Sequence, residues 1–256
     1  MGVSSKGRLL SFFYTMARII FYIDGFNLYY GIRNRGRKNS DDKPTPTSKF
    51  KWLDLVALCK QLVSHQDIVK IKYFTTRIEE CGKKTTRQSD YLRIWEDNEL
   101  VDVVEGKFLR SNVRRPLSNG SGFVEVMKTE EKGTDVNLAS HLLIDGITDK
   151  YDCAAIISND SDFAYPIEFV KNSLKKAVFV FNPQWNQSAT LEKVASVYKK
   201  IYDNTLKQLP QTVILSDGKK IECPQEWKRR RDNELTQSLG EQLKQIFPSA
   251  NSNTHL

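Results

Sequence analysis

Four aspartates in this chain of 256 residues stand where a carboxylate could take part in chemistry. Asp24 directly follows a short apolar, β-branched run, Asp160 and Asp162 follow a second such run, and Asp135 precedes an amphipathic stretch. Carboxylates gathered at one place raise one another's pKa values, so a cluster of this kind usually holds a hard divalent cation. The four positions therefore predict a site for Mg²⁺ or Mn²⁺.

Each of these aspartates also has a structural explanation. Asp24, Asp135 and Asp160 stand where a helix N-cap or a strand-exit turn favours Asp for its backbone hydrogen bonds. Asp162 would be favourable in a first helical turn because of the helix dipole. Capping explains any one of them as well as a metal does. It does not explain why four acids collect at strand ends and helix starts in a chain of net charge +8, so we favour the metal site for the set.

The scaffold for these residues is predicted from alternating patterns along the chain. Short runs that are apolar throughout alternate with amphipathic helical stretches, which is typical of a parallel sheet covered by helices on both faces. The predicted fold class is therefore α/β. Predicted strands cover residues 19–23, 68–75, 100–108, 154–157 and 177–181. Predicted helices cover residues 25–34, 52–62, 88–98, 162–172 and 190–202, and one more begins at residue 133 with Val136 among its buried side chains.

The edge of the sheet decides whether the acids converge. In an open parallel sheet, ligands bind beyond the carboxyl ends of the strands, where the strand order reverses. Asp24, Asp160 and Asp162 lie just past the ends of two predicted strands, so these three meet at one edge if those strands are neighbours. Asp135 opens the helix that leads into the second strand, and the right-handed crossover rule leaves its position open.

The chain carries 39 Lys and Arg against 31 Asp and Glu, which makes a polyanionic partner the first candidate. These groups either neutralise phosphates beside the acids or form a solvated surface. They concentrate in predicted loops: Arg33, Arg35, Arg37 and Lys38; Lys83, Lys84 and Arg87; and Arg110, Arg114 and Arg115.

The last of these groups is the most suggestive of nucleic acid. Residues 110–122 are predicted as a turn-rich loop from which residues 123–127 return as a short hairpin arm. Phe108 precedes the arginines, and an aromatic ring beside cations suits a single strand through stacking and phosphate contact. Lys132 either meets a substrate phosphate or is a surface lysine. Ser188 either begins a helix whose free N–H groups bind an anion or caps that helix.

The two ends of the chain are predicted to differ from its centre. We expect a flexible leader at residues 1–16, one domain at 17–202, and an extension at 203–256 with a small hairpin at 214–221 and a basic tail. The four cysteines form no C-x-x-C pair, which disfavours zinc, and the lack of a disulfide pattern predicts a reducing, cytoplasmic environment. Cys153 is expected in the core. No run approaches the roughly 18 apolar residues of a membrane span, so no membrane partner is expected.

Three blocks of sequence resemble the NYN family of PIN-like nucleases, including its bacterial LabA-type members. They are YIDGFN at residues 22–27, KGTDV at 132–136 and SNDSDF at 158–163. The resemblance covers about residues 17–202. It implies a PIN-like Rossmannoid three-layer sandwich with a mainly parallel sheet, a divalent metal bound by Asp24, Asp135, Asp160 and Asp162, and hydrolysis of RNA phosphodiester bonds. The matching polar positions Asn27, Ser158 and Asn159 are expected to orient a ligand or water.

The function predicted on this basis is that of a metal-dependent endoribonuclease. A metal-bound water has a lowered pKa and becomes a nucleophile, so no nucleophilic side chain is required. The expected partner is single-stranded or structured RNA, and a homo-oligomer is left open. The alternative is a catalytically weak RNA-binding or regulatory module that keeps the pocket. A phosphatase of the haloacid dehalogenase type is disfavoured because it needs Asp-x-Asp, whereas Phe26 stands two residues after Asp24.

Overall fold

The computed structural model describes residues 17–33, 50–64, 66–78, 82–118 and 120–228. At its centre lies a sheet of six parallel strands: β1 (Arg18–Asp24), β2 (Asp67–Thr75), β3 (Val101–Glu105), β6 (Cys153–Ile157), β7 (Ala177–Asn182) and β8 (Val197–Lys200). Two antiparallel hairpins stand apart from it, formed by β4 (Lys107–Pro116) with β5 (Phe123–Lys132) and by β9 (Thr212–Ile214) with β10 (Lys220–Glu222). The helices are α1 (Gly25–Arg33), α2 (Leu55–Leu62), α3 (Lys83–Glu96), α4 (Thr134–Ile147), α5 (Ala164–Asn172) and α6 (Ala189–Val194).

The sheet is buried on both faces, as the uniformly apolar strands predict. Successive side chains of a strand point to opposite faces. Phe21 of β1 accordingly packs into one core cluster, and its neighbours Ile20 and Tyr22 pack into the other. Helices α2 and α3 contribute to the first cluster, and α4, α5 and α6 to the second. Cys153 is fully buried in β6. The predicted α/β class, with a parallel sheet between two layers of helices, is confirmed.

The strand order is β3-β2-β1-β6-β7-β8. The chain first builds the sheet outward from β1 through β2 to β3, and it then returns to the other side of β1 to add β6, β7 and β8. The order therefore reverses at β1, and the space beyond the carboxyl ends of β1 and β6 is the switch point at which open α/β sheets bind ligands.

The predicted loop at residues 110–122 is wrong, because most of it is strand. The predicted strand 100–108 is interrupted at Gly106, after β3 ends at Glu105, and β4 then runs from Lys107 to Pro116 and pairs with the ten residues of β5. Both faces of this hairpin, which we call the β-arm, are largely exposed. A strand without a buried face lacks the alternation of apolar and polar residues by which strands are recognised in a sequence. The length of β4 and β5 therefore could not be predicted from either segment alone.

Three smaller predictions also fail. The helix expected at 190–202 ends at Val194, and residues 197–200 form β8; Ser196 is already paired to Val178 of β7 through both its backbone N–H and its hydroxyl. The loop expected at 83–87 is the start of α3. Val136, expected inside α4, is 68% exposed.

The chain after residue 202 packs onto the same core. Its strands β9 and β10 form the predicted hairpin around a turn at Gly218, where a positive φ of 80° suits glycine. Leu206, Leu209 and Ile221 are buried in the first core cluster, and the Trp52 indole donates to the Pro210 carbonyl at 2.8 Å. The segment therefore adds to the layer that also contains α2 and α3.

Some predictions fall outside the described residues. They concern the leader at 1–16, the basic side chains Arg35, Arg37 and Lys38, and the tail beyond residue 228. Among the helices that are described, none combines the length and the apolar character needed to cross a membrane.

Candidate active site

The two strands that carry the aspartates are neighbours. β1 pairs in parallel with β6, with Ile23 opposite Ile157, so Asp24 and the residues after Ile157 leave the sheet side by side. The Ser158 hydroxyl bridges the two exits by donating to Asp24 Oδ2 at 3.0 Å. Asp24 and Asp160 therefore lie together at the switch point. This is the arrangement predicted for the case in which the two strands are neighbours.

Asp24 is a buried carboxylate with a raised pKa. Its side chain is held on both oxygens, because the Asn27 N–H donates to Oδ1 at 2.9 Å and Ser158 donates to Oδ2. The residue is 7% exposed, and burial is the largest cause that raises its pKa to about 6, against the lowering effect of the two hydrogen bonds. The negative charges of Asp135 and Asp160 raise the pKa further. These three carboxylates therefore form one electrostatic cluster.

Asp160 and Asp162 have different places in this cluster. Asp160 Oδ1 accepts the Asp162 N–H at 3.0 Å and so caps a one-turn 3₁₀ helix, Ser161–Phe163. Its own N–H donates to the Ser158 hydroxyl at 3.1 Å, which links it to Asp24 through one serine. Asp162 is exposed and joins this network by its backbone. The structure thus brings Asp24, Asp135 and Asp160 together and leaves Asp162 at the rim.

Asn27 and Asn159 tie together the loops that follow three strands. Asn27 Oδ1 accepts the Asn159 N–H at 3.1 Å and the Gln184 side-chain amide at 2.8 Å. The Asn159 side chain donates to the Asn186 carbonyl at 3.0 Å and accepts the Tyr198 hydroxyl at 2.9 Å. These hydrogen bonds hold together the loops that also carry the acids.

Gln184, Asn186 and Tyr198 were not singled out from the sequence. One signal could have found the first two, since both follow the end of β7 just as Asp160 follows the end of β6. Tyr198 lies in β8, in a segment that the sequence pattern assigned to a helix.

Ser188 caps α6, which was one of its two predicted explanations. Its hydroxyl accepts the Leu191 N–H at 3.4 Å, and its own N–H donates to the Tyr198 hydroxyl at 3.0 Å. Helix α6 has only six residues. The other explanation, an anion site at this helix start, gains no support from the structure.

The basic residues predicted to hold substrate lie on the β-arm and at its base. Phe108 contacts the ring of Phe26 with centroids 6.4 Å apart, so the arm begins beside the first turn of α1. Arg110 and Arg114 share the face of Phe108, because alternate residues of a strand share a face. Arg114 lies 5.4 Å above the ring of Phe123. Arg115 belongs to the opposite face.

Lys132 ends β5 immediately before the helix of Asp135. Its ammonium group is exposed and lies 3.3 Å from Glu130 Oε2. This ion pair agrees with the explanation of Lys132 as a surface lysine, and Lys132 directly precedes the Gly-Thr-Asp turn in the chain. Gly133, with a φ of 94°, makes the turn between Lys132 and α4.

The donor set suits a hard cation, although the described residues do not form a finished metal shell. No group of three or more His, Cys, Asp and Glu side chains within that part of the chain is already arranged around one point as a metal requires. The chemistry nevertheless fits Mg²⁺ or Mn²⁺, which prefer carboxylate oxygens. A cation beside Asp24 would offset the burial and the like charges that raise its pKa.

A second buried polar cluster lies within the α4 face of the sheet. Lys72 of β2 forms an ion pair with Asp145 of α4, and Asp145 also accepts the Tyr22 hydroxyl at 2.9 Å. The Lys72 ammonium lies 3.1 Å from His141 Nδ1, and burial together with this positive charge lowers the pKa of His141. The cluster fastens α4, which carries Asp135, to the sheet.

Comparison with known proteins relates this chain to a domain family, to a curated protein and to a solved structure. The NYN domain family profile matches residues 18–202. The 6-hydroxy-3-succinoylpyridine 3-monooxygenase HspA of Pseudomonas putida is 28% identical over 213 residues, which are 70% of this chain and 64% of that protein, so this chain spans less than two thirds of its relative. A protein of unknown function from Vibrio parahaemolyticus has a crystal structure that matches 75% of this chain and 97% of its own, with 19% identity and a TM-score of 0.45. Because the family profile covers most of the chain and includes all three motif blocks, this protein belongs to the NYN domain family.

Proposed function

We propose that this protein is a metal-dependent ribonuclease whose active site is the carboxylate cluster at the switch point. Asp24, Asp135 and Asp160 would bind Mg²⁺ or Mn²⁺, with Asp162 at the rim of the site. One observation carries the proposal: Asp24 is a buried carboxylate whose pKa of about 6 is raised both by burial and by the charges of two further aspartates. Membership of a nuclease-type family supports the same activity.

The bound cation would supply an activated water and stabilise charge on the attacked phosphate. The chain's own residues prepare that site. The Asn27 N–H and the Ser158 hydroxyl fix both oxygens of Asp24, so its orientation is set before any ligand binds. The same hydroxyl accepts the Asp160 N–H, which keeps the second acid in register with the first.

RNA is the proposed substrate because cations and aromatic rings lie next to the acids. The face of the β-arm that carries Arg110 and Arg114 starts at Phe108, whose ring touches Phe26. A single strand could therefore meet stacking surfaces and phosphate-binding cations close to Asp24. The alternative remains a module that binds RNA without cutting it. The monooxygenase activity named for the Pseudomonas relative does not extend to this chain on 28% identity.

The test is cleavage of labelled single-stranded and hairpin RNA by the purified full chain with Mg²⁺, Mn²⁺ or EDTA. Asp24→Asn and Asp160→Asn remove charge but keep an oxygen that can cap, since Asn and Asp are equally good N-caps. Asp67→Asn is the matched control, because Asp67 is an exposed aspartate at the start of β2, at the opposite end of the sheet.

We expect EDTA-sensitive cleavage that both site variants abolish and the control retains. RNA binding without cleavage in any metal, by a protein that is folded, would refute the nuclease and support the binding module. Cleavage that survives in Asp24→Asn at the wild-type rate would separate the activity from this site.

A further inference from the structure

We propose that the cavity between α1, the end of β2 and α3, closed by Trp227, holds one unstacked base of a single-stranded RNA beside the acidic site. The inference rests on the proposed function for its substrate class. It adds a position on the protein, a mode of recognition and a role for the segment after residue 202.

The cavity has the size and the walls of a pocket for a flat ring. Its volume is about 400 Å³, which lies within the usual range of roughly 300–1,000 Å³ for small-ligand sites. Seven aromatic side chains line it: Phe26, Tyr29, Tyr30, Phe50, Tyr73, Tyr91 and Trp227. Rings of this kind stack on any base, because every base has a π-face.

Two hydroxyl side chains line the cavity where a base could bind. Tyr73 and Thr75 stand two residues apart on β2, so both side chains point to the same face, and they are only 8% and 4% exposed. Within the described residues neither side-chain hydroxyl makes a hydrogen bond, whereas the Tyr91 hydroxyl of the same cavity donates to the Leu53 carbonyl at 2.8 Å. Neither oxygen is fully enclosed by the described residues, so both hydroxyls are open to a ligand in the cavity. The polar edge of a base could form hydrogen bonds with both.

The charge of the cavity lining favours an anionic ligand. Four cationic residues line it, Arg33, Lys51, Lys84 and Arg87, and no Asp or Glu does so among the residues that the structure describes. Arg87 is also paired with Glu226 at 2.9 Å, outside the cavity lining. Lys51 lies 5.7 Å from the ring centre of Tyr29, and Arg87 lies 5.8 Å from that of Trp227. Aromatic rings combined with cations are the features that bind nucleotides of a single strand.

The cavity lies next to the acidic site along the chain. Gly25 and Phe26, the two residues after Asp24, form part of its wall. A Cβ at Gly25 would lie 2.6 Å from the Phe74 carbonyl oxygen and 2.8 Å from the Tyr73 ring, so glycine lets this turn pass close to β2. Phe26 also touches Phe108 of the β-arm. A strand with one base in the cavity can therefore continue past the carboxylates to the arm.

Binding is measured in EDTA, by fluorescence anisotropy of labelled oligoadenylate and oligouridylate with the full chain. Trp227→Ala should weaken binding about 5- to 150-fold, because stacking of one base contributes about 1–3 kcal/mol. Tyr73→Phe removes a single hydroxyl and should weaken it about 2- to 10-fold. Tyr202→Phe is the matched control, because Tyr202 is 62% exposed and lies outside the cavity; it should bind as the wild type does.

A double-mutant cycle separates a lost contact from a damaged fold. Oligonucleotides with one abasic position should bind the wild type more weakly, and the same abasic position should cost little in Trp227→Ala, since the contact is already gone. Tyr73→Phe keeps the test valid if Trp227→Ala fails to fold. Adenosine monophosphate is the further probe: affinity equal to that of the oligonucleotide would assign the cavity to free nucleotides and overturn the proposal.

The outcomes also distinguish this inference from the proposed function. Binding that depends on Trp227 and Tyr73, without cleavage in any metal, would support the base pocket and refute the nuclease. Metal-dependent cleavage with wild-type binding in both variants would overturn the base pocket and leave the nuclease standing. Failure of the wild-type chain to bind either oligonucleotide in EDTA would also overturn it.

Discussion

Replacing Asp24 by Asn should make the protein more stable while it removes the proposed activity. The substitution keeps the shape of the side chain and an oxygen for the Asn27 N–H, but it removes the negative charge that burial disfavours. A stabilising change at a buried polar residue is unusual, since most substitutions destabilise. It is expected where a site is organised for a ligand at the expense of stability.

The size of the effect follows from the pKa of Asp24. The pKa rises from 3.8 to about 6 on folding, and each pKa unit corresponds to about 1.36 kcal/mol, so ionised Asp24 lowers the free energy of unfolding by up to about 3 kcal/mol at pH 8. The folded protein binds this proton more tightly than the unfolded chain does. Stability from this group is therefore complete below pH 3.8 and is lost as the pH rises through about 6. At pH 5 the loss is about 1.5 kcal/mol.

Thermal unfolding of both proteins in EDTA is the assay. At about 2–4 °C per kcal/mol for a chain of this size, Asp24→Asn should melt roughly 6–12 °C higher than the wild type at pH 8, and the difference should shrink by about half at pH 5. Mg²⁺ or Mn²⁺ should raise the melting temperature of the wild type more than that of the variant. A variant that is no more stable than the wild type at pH 8, or a difference that does not change with pH, would refute the reasoning.

Three further substitutions test other parts of the structure. Asp145→Ala leaves the buried ammonium of Lys72 without its partner and should cost about 3–5 kcal/mol in urea denaturation; a cost under about 1 kcal/mol would contradict a tight pair. Ser158→Ala removes the hydroxyl that links Asp24 to Asp160. The Mn²⁺ concentration for half-maximal cleavage should therefore rise about 10- to 100-fold, and an unchanged concentration would show that Ser158 does not position the two acids for metal binding. Arg114→Gln should weaken RNA binding and reduce the slope of log affinity against log salt by about 0.7, while Arg115→Gln on the opposite face serves as its control; equal effects would contradict the assignment of faces.

The sequence predicts those parts of the fold that local pattern determines. β1, β6 and β7 are apolar throughout because both of their faces are buried, so each is visible within its own few residues. β8 has only four residues, and its conformation depends on pairing with β7. The sequence predicts only a short hairpin arm at residues 123–127, whereas the β-arm has ten cross-strand pairs that reach back to Lys107 and Lys132. Long-range pairing is the information that a local pattern lacks.

The same division applies to the candidate sites. Asp24 and Asp160 could be identified because strand exits are recognisable from the sequence and because their motifs resemble a known family. The hydroxyls of Tyr73 and Thr75 could not, because their role depends on what lies opposite them. Trp227 reaches the cavity only because the segment after residue 202 folds back onto the core. A cavity formed by segments that are distant along the chain cannot be predicted from the sequence of any one of them.

The structure also changes how the two explanations of Asp24 relate to each other. As an N-cap, Asp24 accepts the Asn27 N–H and starts α1, which is the structural explanation. Capping at this position also places the carboxylate at the buried end of β1, beside the charges of Asp135 and Asp160, where its pKa is raised to about 6. A cap on an exposed helix would carry no such cost, since solvent would stabilise the charge. The fold thus uses a local structural role to hold a charge that burial and two neighbouring acids disfavour and that two hydrogen bonds only partly stabilise. The stability gained by Asp24→Asn measures how strongly that charge is disfavoured in the absence of a cation.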